Sequence, residues 1–175
     1  MKKNYKQFLK DITTFVFDVD GVFTDGNVLI TSEGELLRKM SVKDGYALKT
    51  ALQKGYNVCI ISGGTNEGVS IRLKGLGVTD IYLGASMKEA PLKEYLSKYK
   101  IDPENVLYIG DDLPDIPAMK LDAIAACPQD AVQEVKEVCD YISHRYSGDE
   151  CVRDVIEQVL KVRGDWYTNF SAAND

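Results

Sequence analysis

Two aspartates flank a single residue at the end of an apolar run, in Phe15-Val16-Phe17-Asp18-Val19-Asp20-Gly21. A second acidic group follows another such run, Val106-Leu107-Tyr108-Ile109-Gly110-Asp111-Asp112, with Asp115 close behind. A third run, Val58-Cys59-Ile60-Ile61, opens into Ser62-Gly63-Gly64-Thr65, and a fourth ends Tyr82-Leu83-Gly84 and is followed by Lys88. Carboxylates that leave a buried strand are costly unless something neutralises them. Mg2+ would do so, because it is a hard cation that prefers carboxylate oxygens. A hydroxyl beside glycine-exposed amides at a helix start cradles an anion. Lys88 sits poorly against the positive end of a helix dipole unless it offsets phosphate and carboxylate charge.

Each motif alone has a plainer reading: a strand-ending turn, an N-cap cluster, a loop, a solvated lysine. Four of them at strand ends supply what phosphoryl transfer requires, namely an acceptor, a metal, a proton donor and fixed positive groups. The expected roles follow from the chemistry of each group. Asp18 is the covalent acceptor. Asp20 protonates the leaving alcohol and then deprotonates the attacking water. Ser62 and the Gly63 amide hold phosphoryl oxygens, and Lys88 stabilises Asp18 and the transferring group. Asp111 binds the metal, with Asp112 and Asp115 in support.

The elements that must position these groups alternate. Short runs rich in Val, Ile, Tyr and Phe at 14–19, 57–61, 80–83, 105–109, 122–126 and 139–142 predict strands. Segments of helical period lie between and after them, at 46–54, 67–76, 88–99, 115–120, 131–137 and 150–163. Gly55 and Gly75 or Gly77 read as helix ends, and Asp130 as a helix start. The pattern predicts an α/β fold, a Rossmann-like, mostly parallel sheet with helices on both faces. Ligands in such sheets bind beyond the carboxyl ends of the strands. One segment breaks the alternation: 27–30 and 36–42 read as a β-hairpin around Thr31-Ser32-Glu33-Gly34-Glu35.

The 175 residues predict one domain spanning 1–175, with a tail from about 164 that holds Trp166, Tyr167 and Phe170. A net charge of -6 argues against nucleic acid or an anionic membrane as partner. No leader or membrane-spanning run is read in the sequence, so the cytoplasm is the expected compartment. Cys59, Cys127, Cys139 and Cys151 show no paired spacing and read as buried free thiols. His144 reads as a surface or packing residue.

Asp18-Val19-Asp20-Gly21, Ser62, Lys88 and Gly110-Asp111-Asp112 with Asp115, in this order over nearly the whole chain, resemble the haloacid dehalogenase superfamily of phosphatases. The resemblance implies that Asp18 is the nucleophile and that Asp20 also offers a backbone carbonyl to Mg2+. The run from Asp18 through Thr24 to Gly26, the hairpin, Ser41-Val42-Lys43-Asp44-Gly45 and Ile109 to Asp115 are more particularly similar to the 3-deoxy-D-manno-octulosonate 8-phosphate phosphatases. Nonulosonate 9-phosphate phosphatases share this pattern. The short stretches from Asp20 to Ser62 and from Lys88 to Asp111 leave no room for a cap domain beyond the hairpin.

The resemblance further implies a homotetramer whose hairpins cover neighbouring sites, in a lipopolysaccharide-precursor pathway. Thr24, Gly63, Gly64 and Arg72 are then substrate-binding, with Arg72 reaching the sugar-acid carboxylate of a neighbour. Gly64 favours the eight-carbon sugar acid, since the nine-carbon group tends to have Glu there. One stretch departs from the pattern: Ser147-Gly148-Asp149-Glu150 stands where a glycine-rich segment is expected. A phospho-accepting receiver-type switch also places acids and a lysine at strand ends. The proton shuttle and the hairpin argue against it.

Overall fold

The computed structural model describes residues 5–121 and 124–166. The first residues of the strand expected at 122–126, and the tail residues Tyr167 and Phe170, lie outside the described residues. Two short 3-10 helices, Tyr5–Gln7 and Leu9–Asp11, lead into β1 (Thr14–Phe17), followed by the hairpin strands β2 (Leu29–Ile30) and β3 (Leu36–Leu37). Then come α1 (Val42–Gln53), β4 (Asn57–Ile61), α2 (Glu67–Gly75), β5 (Asp80–Tyr82), α3 (Glu89–Tyr99) and β6 (Val106–Ile109). The order closes with α4 (Ile116–Met119), β7 (Ile124–Cys127), α5 (Gln133–Val138), β8 (Tyr141–Ile142) and α6 (Cys151–Arg163).

Six strands form one sheet in the order β5-β4-β1-β6-β7-β8, and every adjacent pair is parallel. β2 and β3 pair antiparallel as a separate ribbon. The alternation of side chains divides the sheet into two faces. Phe15, Phe17, Ile60, Leu107 and Ile109 join one core with α1, α2 and α6. Val16, Cys59, Ile61 and Tyr108 join a second core with α3, α4 and α5. Strand order reverses between β1 and β6, so the crevice beyond these two strands is where such a sheet binds ligands.

Several expected boundaries move. β1 ends at Phe17 rather than at 19, because Val22, Phe23 and Thr24 all donate backbone N–H groups to the Val19 carbonyl, at 3.1, 2.9 and 3.2 Å. Asp20 therefore rides on a turn, not on the strand. α1 starts at Val42, where the second hairpin strand was expected to end, since the Ser41 hydroxyl accepts from Lys43 N and starts the helix there. Gly77 takes the left-handed turn after α2, while Gly75 still belongs to the helix. Asp130 starts no helix; its carboxylate accepts from the Ser147 amide and hydroxyl instead, at 2.8 and 2.6 Å.

The segment that departs from the family pattern is pressed onto the first loop. Gly148 donates to the Val22 carbonyl at 3.0 Å, and Cys151 Sγ donates to the same oxygen at 3.1 Å. A Cβ on Gly148 would lie 2.6 Å from Asp25 N, so only glycine fits at this contact. Glu150 takes a positive φ of 70° and pairs with Lys43 on α1. Asp44, buried on α1, accepts from Arg153 N on α6 at 2.8 Å and so ties the starts of the two helices together. All four cysteines are buried and unbridged. Among the described residues no helix is long and apolar enough to cross a membrane.

Candidate active site

β1 delivers Asp18 one residue beyond its end, still bound to the sheet through Asp18 N and the Ile109 carbonyl at 3.0 Å. Lys88 precedes α3, on the face to which Val16 also points. There its ammonium lies 2.7 Å from Asp18 Oδ2 and 2.7 Å from Asp115 Oδ1. The side chain is 4% exposed, so the solvated-lysine reading fails. Burial opposes the charge on Lys88, but the two carboxylates outweigh it and raise its proton affinity above the ordinary value.

Asp115 is the hub of this wall. Oδ1 accepts from Lys88 and from the Tyr108 hydroxyl, at 2.7 and 2.8 Å. Oδ2 accepts from the backbone N–H groups of Asp111 and Asp112, at 3.1 and 3.4 Å. A carboxylate has about four acceptor positions, so Asp115 is saturated and holds the others in place. Gly110 leaves room for it, since a Cβ there would lie 2.3 Å from Asp115 Cγ. Asp112 is exposed; its carboxylate caps the turn at Leu113 N, at 2.8 Å, and takes no part in the acidic cluster.

Asp18, Asp111 and Asp115 offer carboxylate oxygens within 4.8 Å of one another. Asp111 Oδ1 is buried and accepts no hydrogen bond, and its Oδ2 lies over Gly21, where a Cβ would come within 1.9 Å. Burial, then repulsion from Asp115, pushes Asp18 up to about 6 against the pull of Lys88. Burial, then Asp18 and Asp115, pushes Asp111 up to about 8. A bound divalent cation would reverse both shifts and satisfy the orphaned oxygen. The donor set is all oxygen, which suits Mg2+. Asp18 and Asp111 would hold it, because the oxygens of Asp115 are already committed. The Asp20 side chain stands outside the cluster, leaving its backbone carbonyl as the contribution the resemblance gives it.

The opposite wall consists of Asp20, Ser62 and the glycines after it. Ser62 is buried and accepts from Gly64 N at 3.2 Å. The loop is fastened to the end of β5, as Ala85 N donates to the Ser62 carbonyl and Gly84 N to the Gly64 carbonyl, each at 3.0 Å. The exposed Gly63 N–H has no partner among the described residues, which leaves it open to an anion. A Cβ on Gly64 would lie 3.2 Å from Asp20 Oδ2 and 3.6 Å from Ser62 Oγ, so Gly64 brings these two groups to one spot.

Two expected substrate-binding residues make other contacts in this chain. Thr24 is fully buried; its hydroxyl accepts from Gly21 N and Gly26 N, each at 3.3 Å, and donates to Asp20 Oδ1 at 3.4 Å. It braces the loop and has no face for a substrate. Arg72, on α2, directs its guanidinium at Gly45 of α1. His144 is exposed beside Asp154, at 3.5 Å, outside the site. Sequence reasoning passed over Tyr108 and Arg38. Tyr108 stands among apolar strand residues with nothing local to mark it. Arg38 pairs with Asp20 across 18 positions of chain, a contact no local pattern encodes.

A family model described as haloacid dehalogenase-like hydrolase matches residues 66–156. The chain belongs to the haloacid dehalogenase-like hydrolases, and to their capless form. This removes the receiver-type switch as a reading. It is 36% identical over 155 residues to the 3-deoxy-D-manno-octulosonate 8-phosphate phosphatase KdsC of Salmonella typhi, covering 89% of this chain and 82% of that one. Among solved structures it resembles the Yersinia pestis enzyme of the same name, with a TM-score of 0.91, 31% identity and coverage of 93% and 88%. It also resembles the Moraxella catarrhalis enzyme solved with magnesium, phosphate and KDO, with a TM-score of 0.90, 32% identity and coverage of 94% and 95%.

Proposed function

We propose that the chain is a Mg2+-dependent phosphomonoesterase that removes phosphate from 3-deoxy-D-manno-octulosonate 8-phosphate through an aspartyl-phosphate on Asp18. The observation that carries this is the buried Lys88 ammonium between Asp18 and Asp115, beside the orphaned oxygen of Asp111. The likeness to octulosonate phosphatases over most of the chain supports the substrate.

An Asp18 oxygen attacks phosphorus, and the bond from phosphorus to the ester oxygen breaks. Asp20 gives its proton to the departing alkoxide. Asp20 then takes a proton from water as the water oxygen attacks phosphorus. The Asp18–phosphorus bond breaks, and the carboxylate and inorganic phosphate are released. Lys88 holds Asp18 in line throughout, and Ser62 with the Gly63 amide receives the phosphoryl oxygens. Asp18 and Asp111 would hold a divalent ion, which would supply positive charge to offset the repulsion between carboxylate and phosphate.

The chain works as a homotetramer in the cytoplasm. The exposed apolar residues Leu29, Ile30, Leu36 and Leu37 of the hairpin support an assembly that covers them. Arg72, half-buried with no ion pair of its own among the described residues, serves a neighbour's substrate carboxylate. The test is phosphate release from the octulosonate 8-phosphate, a nonulosonate 9-phosphate and p-nitrophenyl phosphate, with Mg2+ and then with EDTA. The octulosonate ester should be preferred in kcat/KM by about 10-fold or more, with EDTA abolishing all three activities. Equal rates on the two sugar acids would overturn the substrate, and turnover in EDTA would overturn the metal. Gel-filtration elution at the mass of one chain would overturn the tetramer.

A further inference from the structure

The hairpin ribbon is largely exposed, yet the Arg38 side chain that follows β3 is only 9% exposed. It turns inward and grips Asp20 with a two-pronged contact, Nε to Oδ1 at 2.7 Å and Nη2 to Oδ2 at 3.0 Å. This is the geometry in which a guanidinium fixes the plane of a carboxyl group. The guanidinium is itself held, because Nη1 donates to the Leu36 carbonyl at 2.9 Å. The same carbonyl accepts from Asn66 Nδ2 at 3.0 Å, and Asn66 Oδ1 caps α2 at Val69 N, also at 3.0 Å. Arg38 is thus anchored to the helix that opens behind the Ser62–Gly64 loop.

Asp20 needs such an anchor. It rides on a turn, its side chain is 35% exposed, and its other side-chain contact is the long one from Thr24, at 3.4 Å. A proton donor must stay within hydrogen-bond reach of the oxygen it serves. An unfixed rotamer on a turn would spend much of its time elsewhere.

We propose that Arg38 is a positioning residue that holds the Asp20 carboxyl toward the leaving-group oxygen, so that the hairpin completes the proton-transfer apparatus of its own subunit. This rests on the reading of the chain as an aspartyl-phosphate phosphatase. Arg38 reaches the reacting atoms through Asp20, and Gly64 leaves space for the Asp20 carboxyl, since a Cβ there would lie 3.2 Å from Asp20 Oδ2.

The experiment compares phenyl phosphate, whose leaving group needs a proton, with 2,4-dinitrophenyl phosphate, whose leaving group does not. It uses the full chain with Mg2+ and reads kcat/KM, which reports the step that breaks the ester bond. Arg38→Ala should lower the phenyl phosphate value by about 10- to 100-fold and the dinitrophenyl value by less than about 3-fold. Arg38→Lys, which keeps a cation and one contact, should recover part of the loss. Adding Arg38→Ala to Asp20→Asn should cost nothing further, because both act through one group. Equal losses on the two esters, or an added loss in the double variant, would overturn the positioning role. No loss on phenyl phosphate would do the same. A wild-type chain inert on both esters would overturn the phosphatase reading itself. An Asp20→Asn variant without leaving-group bias, in an active chain, would overturn the role of Asp20 and that of Arg38 with it.

Discussion

The two walls of the crevice are built on different principles. On one side Asp18, Lys88, Asp115 and Asp111 sit at strand ends and helix starts that the sheet fixes, and Asp115 has every oxygen engaged. On the other side Asp20 stands on a turn, partly open to water, and is held by a side chain borrowed from a hairpin. Charge that must be in place before reaction gains from rigid, buried surroundings. The role proposed for Asp20, which serves both an alcohol and a water, gains from access. The first wall is paid for with buried charge, and the second costs little in stability.

Asp18→Asn tests the first wall most severely. Turnover should fall by about 10⁴-fold or more, with no radiolabelled phosphate trapped on the protein and an unchanged circular dichroism spectrum. A variant that still traps phosphate would place the nucleophile elsewhere.

Lys88→Met should separate the walls. It leaves two buried carboxylates without their cation, so chemical denaturation should show a loss of about 3–5 kcal/mol, and activity should drop about 10²- to 10³-fold. Arg38→Ala, on the other wall, should move the denaturation midpoint far less. Similar losses of stability in both would erase the distinction.

The pH dependence of the metal-free protein offers a smaller effect. Asp18 and Asp111 have folded values raised to about 6 and about 8, above those of free carboxyls. Their contribution is fully present below the unfolded value, near 4, and is lost as pH rises through the folded values. In EDTA, stability should therefore fall by a few kcal/mol between about pH 4 and pH 8. Mg2+ should flatten that slope, and Asp111→Asn should remove part of it in EDTA. A metal-free slope unchanged by Asp111→Asn would contradict the strain in the cluster.

The contrast also explains what was legible in the sequence. The wall at the strand ends announces itself, because apolar runs that stop at Asp18, Ser62 and Asp111 reveal both the strand and its last position. Even there the strand was expected to run on to Val19. It is the Val19 carbonyl, gathering three N–H groups, that ends β1 early. The start of α1 was hidden for a similar reason, as Ser41 reads equally well as a strand residue or a cap. Arg38 and Tyr108 act through contacts distant in sequence, and neither interrupts a hydrophobic period. Asp112 and Thr24 fit the motif by type, and only their burial and bonding partners show that they brace backbone.

The contact of Gly148 and Cys151 with the Val22 carbonyl carries a consequence for biosynthesis. The loop bearing Asp20 leaves the ribosome more than a hundred residues before its backing, which arrives only with the start of α6. A nascent chain stalled before residue 148 would possess Asp18, Lys88 and Asp115, yet lack the surface against which the first loop is shaped. Completion of the first loop thus waits until the start of α6 has been made.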